Sequence, residues 1–274
     1  TCSSSDAFTS APRPKVKTRR APRNSAARAA SRSARRSPTV GAPSVRKSTS
    51  ERRPRCSSAS SARVGVEDEH HPADLSPDLP GLQRELATLW TLDANSPHHF
   101  LAPSPRIVLS KVITDYARES VKRTTSVRAA AMDLCLTIHR DFKYEVDSTD
   151  VNTSPLDAFN LKKGVCQDFV HVMIAGLRGV GIPAAYVSGF LRTIPPKGKP
   201  RLEGADAMHA WVRVWCGQHD GWLEFDPTNA MLAGADHITI GHGRDYADIS
   251  PIVGVLRTSG GHDTKQSVDV IRVE

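Results

Sequence analysis

No apolar stretch in the chain approaches the roughly 18 residues needed to cross a bilayer, and none near the start resembles the core of a secretion signal. The expectation is a soluble cytoplasmic protein with no membrane partner. The five cysteines, Cys2, Cys56, Cys135, Cys166 and Cys216, are odd in number, scattered and without a CxxC pair. That pattern excludes a disulfide framework and points to free thiols in a reducing compartment. No acidic calcium loop is visible. The pairs His70-His71 and His98-His99 lack partners at ligand spacing. They read as exposed loop histidines, so no metal and no cofactor is expected.

Acidic residues are nearly absent from one region. Residues 1–63 hold 16 of the 37 Lys+Arg but only two acids, Asp6 and Glu51, leaving 21 basic and 27 acidic groups for residues 64–274. The basic character therefore belongs to a Ser/Arg/Ala/Pro segment whose one aromatic is Phe8. Such a segment buries too little apolar area to offset chain entropy. Residues 1–63 are expected to be a disordered basic tail. Nucleic acid is expected to bind only non-specifically, through that tail. Residues 64–100 read as a linker with a short helix over Leu79–Trp90, and 101–274 as the catalytic domain.

Within that domain, periodicity predicts helices over Arg106–Lys122 and over Ser126–His139, the second capped by Ser126. A helical turn follows at Leu156–Phe159. Gly164-Val165-Cys166-Gln167-Asp168-Phe169-Val170-His171 then opens a helix too apolar to lie on a surface. Cys166 falls in its first turn, where unpaired N–H groups and the helix dipole favour a thiolate. Asp168 is expected to cap this helix, and His171 to belong to the core. A strand is expected over Ala185–Leu191, a loop over 193–206, and a hairpin from Met208–Trp215 and Trp222–Asn229. That hairpin brings His209 and Asp226 to the same end. Further strands are expected at His237–Ile240, 252–256 and 267–273.

A thiol nucleophile needs an imidazole base, and the imidazole needs an acceptor to orient it. Cys166, His209 and Asp226 supply the three in that order. Gly164-Val165-Cys166-Gln167-Asp168-Phe169, His209-Ala210-Trp211-Val212 and Phe225-Asp226-Pro227-Thr228-Asn229 resemble the three signature segments of the bacterial transglutaminase-like family. The resemblance runs from about Val64 to the C-terminus and takes in Phe100–Arg106 and Gly243–Asp248. It implies an α+β, papain-like core with the nucleophile helix packed on an antiparallel sheet. It also implies Cys166 as nucleophile, His209 as general acid/base and Asp226 as the residue orienting it. Members of that family usually carry a β-rich domain where this chain has its basic segment.

The implied chemistry is acyl transfer or hydrolysis of a glutamine carboxamide or peptide bond through a thioester, on a protein or peptide substrate. A papain-like cysteine peptidase and a non-catalytic binding module keeping the fold are the alternatives. Gln167, Asp168, Trp211, Asp245 and Tyr246 are the further candidates for substrate contact or support of the triad.

Overall fold

Serine and aspartate ahead of apolar runs set where the helices begin, in the computed structural model that describes residues 61–66, 73–91, 93–193, 207–250 and 267–272. Residues 1–60, most of the loop expected at 193–206, and 251–266 lie outside the described residues, so the tail, that loop and the strand expected at 252–256 do too. Asp78 caps α1 (Leu79–Thr88) by accepting from the Gly81 amide. A 3-10 turn follows at Pro97–Phe100. Ser110 caps α2 (Lys111–Arg123), and Ser126 caps α3 (Val127–Asp141) as the sequence predicts.

The expected start of α2 at Arg106 is too early. The Arg106 amide donates to Asp245 Oδ2 at 2.7 Å, and Ser104 and Ile107 pair as an isolated bridge. Those backbone groups are spent on tertiary contacts, and the helix waits for the Ser110 cap. The stretch expected as a linker also contributes to the core. Leu82 and Leu86 of α1 are buried in the main cluster, and Phe100 packs edge-on to Trp222 at 5.4 Å.

Next in the chain come β1 (Lys143–Tyr144), α4 (Pro155–Leu161) and β2 (Lys163–Gly164), with β1 and β2 paired in parallel. Then α5 (Cys166–Gly179) runs through the centre, buried continuously from Asp168 to Arg178. Its packing explains its composition: α2, α3 and α4 lie against it on one side, β3 (Ala184–Leu191) and β4 (Ala207–Trp215) on the other. The hairpin loop holds one helical turn, α6 (Gly217–Asp220), before β5 (Trp222–Asp226). With β6 (Met231–Leu232) and β7 (His237–Gly243), the strands form a five-stranded antiparallel sheet in the order β6-β5-β4-β3-β7. Residues 267–272 carry no strand of this sheet. The fold is α+β, with the helix that begins at Cys166 laid on an antiparallel sheet.

Arg178 locks the far end of α5. Its guanidinium is buried and donates to the carbonyls of Ala184 (2.8 and 3.0 Å), Ala102 (3.0 Å) and Arg244 (2.6 Å) and to Ser104 Oγ (3.2 Å). Burial depresses its pKa to about 10. Arg178→Met keeps most of the apolar stem but strands those acceptors. It is expected to cost about 3 kcal/mol or more, since bonds to charged groups are worth about 1.5–3 kcal/mol each. Urea unfolding would register this as a lower midpoint.

Candidate active site

Cys166 is the first residue of α5 and is partly exposed, unlike the fully buried Cys135 and Cys216. A first-turn amide has no intrahelical partner. The turn is pinned by Asp168, whose Oδ2 accepts from the Val165 amide at 2.8 Å and from the Thr149 hydroxyl at 2.6 Å. Gly164 makes room for that cap, because a Cβ there would stand 2.4 Å from the Asp168 carboxylate oxygen. Burial raises the Asp168 pKa, although both hydrogen bonds oppose it.

His209 and Asp226 reach this turn from the hairpin. Val212 pairs with Phe225, so continuing the register puts Asp226 opposite Trp211. Alternation then puts Asp226 and His209 on one face, two residues apart. His209 Nε2 lies 2.7 Å from Asp226 Oδ2, and the Cys166 thiol is near enough to the same ring to favour its charged form. An ionised carboxylate only accepts. Nε2 therefore carries a proton and Nδ1 is left for the thiol.

Asp226 is fully buried and heavily solvated by N–H groups. Oδ2 accepts from His209, His237 (3.1 Å) and Asn229 Nδ2 (2.6 Å), and Oδ1 from the amides of Thr228 (2.9 Å) and Asn229 (3.1 Å). Burial alone would raise its pKa; the hydrogen bonds and the His209 charge overcome this and hold it well below the carboxylate range. Burial likewise pushes His209 down, but its bond to Asp226, the nearby Cys166 thiol and the charges of both lift it to about 9.

These two shifts set a stability window. A depressed carboxylate stabilises the fold above its unfolded pKa of roughly 3.9, and that contribution fades as pH falls. A raised imidazole contributes fully below its unfolded pKa of roughly 6.5, and that contribution is lost as pH climbs through about 9. The wild-type melting temperature is expected to drop between pH 6 and pH 10, and His209→Gln to flatten the drop. Equal slopes in the two proteins would contradict the assigned pair.

The other residues singled out in the sequence divide. Gln167 is partly exposed beside Cys166, its amide donating to the Val151 carbonyl at 3.2 Å. Tyr246 is partly exposed, edge-on to Tyr186 at 6.1 Å, with the Arg106 guanidinium 5.8 Å from its ring centre. Three others are buried and stand in the supporting role rather than at a substrate surface. Asp168 is spent as the helix cap. Asp245 is fully buried, accepting from the amides of Arg106 and Ala247 at 2.7 and 2.8 Å. Trp211 is fully buried behind the triad, donating to Glu224 at 2.5 Å; Gly189 admits it, since a Cβ there would meet the indole at 2.5 Å.

His171 is a core residue, as expected, its pKa pushed down to about 4 by burial. His98 and His99 are exposed, as expected, with His98 Nε2 2.9 Å from the Leu89 carbonyl oxygen, while His70 and His71 lie outside the described residues. Tyr144 and Tyr186, not anticipated from sequence, lie near enough to Cys166 to feel its charge. Both phenols are pushed up, first by burial and then by the Cys166 charge.

His237 and Asn229 are the other unanticipated members. His237, Asp226 and His209 place potential ligand atoms within 4.8 Å of one another. The hydrogen bonding disfavours a metal there. The Gly234 amide donates to His237 Nδ1 at 3.2 Å, so the neutral ring carries its proton on Nε2, the atom a metal would need bare. No local pattern could have revealed this contact, because β3 and β4 separate β7 from β5 in the sheet.

Residues 114–227 match the family model of the transglutaminase-like superfamily. An uncharacterized protein of Mycobacterium tuberculosis is 39% identical over 198 residues, which cover 71% of this chain and 60% of the relative. One of Mycobacterium leprae is 40% identical over 135 residues, 47% of this chain and 45% of the relative. The chain thus spans no more than about 60% of the length of these relatives. Among solved structures, a Cytophaga hutchinsonii protein provisionally described as a cysteine protease is 27% identical. It covers 62% of this chain and 55% of its own, with a TM-score of 0.49. The periplasmic domain of TgpA from Pseudomonas aeruginosa is 23% identical, covering 51% of this chain and 49% of its own, with a TM-score of 0.39. Among the described residues, no helix is long and apolar enough to cross a membrane.

Proposed function

We propose, from the match of residues 114–227 to the model of the transglutaminase-like superfamily, that the chain is a cysteine-dependent enzyme of amide chemistry acting on a protein or peptide. The observation that carries the reading is the hydrogen-bonded pair of buried Asp226 and His209 brought beside the partly exposed Cys166 at the start of α5.

In this reading the Cys166 sulfur attacks the carbonyl carbon of a carboxamide or peptide bond. The tetrahedral oxyanion is met by the Cys166 amide, whose N–H points out of the helix start. The His209 imidazolium gives its proton to the departing amine. It is well supplied for this, because its raised pKa keeps it charged at neutral pH. The C–N bond breaks and a thioester remains on Cys166. An amine attacking the thioester gives an isopeptide; water gives deamidation or cleavage.

The test is to incubate the protein with a glutamine-containing peptide, with and without a primary amine, and measure ammonia, amine incorporation and cleaved peptide. Ammonia with amine incorporation is expected for acyl transfer, and ammonia alone for deamidation. Cleaved peptide without ammonia would move the assignment to a peptidase. None of the three products from any peptide of a diverse library would contradict the reading and leave a binding module.

A further inference from the structure

His237 lies at the start of β7, separated from Asp226 by two intervening strands, yet its Nε2 sits 3.1 Å from Asp226 Oδ2. Paired strands lie about 4.8 Å apart, so this contact requires the sheet to curl and bring β7 over β4. The Trp211 indole fills the space between, with its ring centre 5.1 Å from that of His237 and edge-on to it. The side chain of His237 is only 3% exposed. A buried imidazole needs partners for both nitrogens, and each has one. The Gly234 amide donates to Nδ1 at 3.2 Å, which forces Nε2 to be the protonated nitrogen facing the carboxylate.

We propose that His237 is a positioning residue of the active site, donating from Nε2 to the same Asp226 oxygen that receives His209. The proposal rests on the triad reading of Cys166, His209 and Asp226, and goes beyond it by adding a second imidazole. Two consequences follow for Asp226. A neutral donor on Oδ2 fixes which oxygen faces His209 and at what angle. It also draws off part of the carboxylate charge, which tempers the pull of Asp226 on the His209 proton. The groups facing Asp226 are His209 on β4, His237 on β7, Asn229 in the following turn and Cys135 on α3; Cys166 on α5 faces His209. Glu224, on β5 beside them, is engaged by Trp211 and Thr239.

The test is histidine-selective nitrogen NMR on the full chain, which needs no substrate. In the unaltered protein the neutral His237 ring should show its proton on Nε2 and a bare Nδ1. In His237→Leu, loss of the neutral donor should raise the His209 titration midpoint by about half a pH unit or more. His237→Gln, which can still offer an N–H to Asp226, should return the midpoint to the wild-type value. A purely structural role would move the melting temperature and leave the midpoint alone.

A proton on Nδ1 of neutral His237 overturns the proposal, as does a folded His237→Leu whose His209 midpoint is unchanged or lower. If His237→Leu does not fold, the proton position in the unaltered protein decides alone. Turnover by Cys166 with either overturning result would sink the His237 proposal while leaving amide chemistry standing. Absence of turnover with the expected NMR result would do the reverse.

Discussion

Cys166→Ala is expected to lower kcat for amide turnover by about 10⁴-fold or more, with thermal stability changed by less than about 1 kcal/mol. Removing the nucleophile of a triad leaves only the residual catalysis supplied by oxyanion donors and binding. Stability should hold because the thiol sits partly exposed at a helix start rather than inside the core. Cys135→Ala and Cys216→Ala make the informative contrast. Both thiols are fully buried, burial pushing Cys135 up to about 12 and Cys216 higher still. They should cost stability and leave the chemistry in place. Loss of activity in either one, with Cys166→Ala active, would reverse the assignment.

The second large effect is expected from Asp226→Asn, which should lower kcat by about 10³-fold or more, by analogy with the loss of an orienting carboxylate in other triads. The reason is specific to this site. Oδ1 and Oδ2 both accept only from N–H donors, two on one oxygen and three on the other. An asparagine amide, in either orientation, must turn its own N–H groups toward N–H donors. His209 would lose the negative partner that lifts its pKa to about 9, so the alkaline limb of kcat/KM should move down from about 9 toward neutrality. A limb that stays in place would show that Asp226 does not set the His209 proton.

The meeting of Cys166, His209 and Asp226 was legible in the sequence because each sits in a segment with its own local logic. Cys166 lies two residues after a glycine and precedes an apolar run. His209 and Asp226 flank one hairpin loop, so their meeting is a short-range consequence of strand pairing. The α+β order and the Ser126 cap were legible for the same local reasons. What stayed hidden depends on long-range placement. Asp245 reads as a candidate for substrate contact or support, yet it is fully buried and takes the Arg106 amide from far away in the chain. That same contact delays α2. Trp211 lies on an alternating strand whose outer face looks open until β7 curls over it. His237 is indistinguishable from any strand histidine until the curl brings it to Asp226. Gly164 reads as a turn former, whereas its lack of a side chain leaves space for the Asp168 cap.

The most direct test of the central claim is to catch the acyl-enzyme. The protein is mixed with a glutamine-containing peptide at mildly acid pH, quenched in acid within seconds, digested and examined by mass spectrometry. A thioester on Cys166 is expected, carrying either the peptide less ammonia or the acyl fragment of a cleaved peptide, and it should vanish on adding hydroxylamine. Turnover that continues with no adduct on Cys166, and with undiminished rate in Cys166→Ala, would contradict the account.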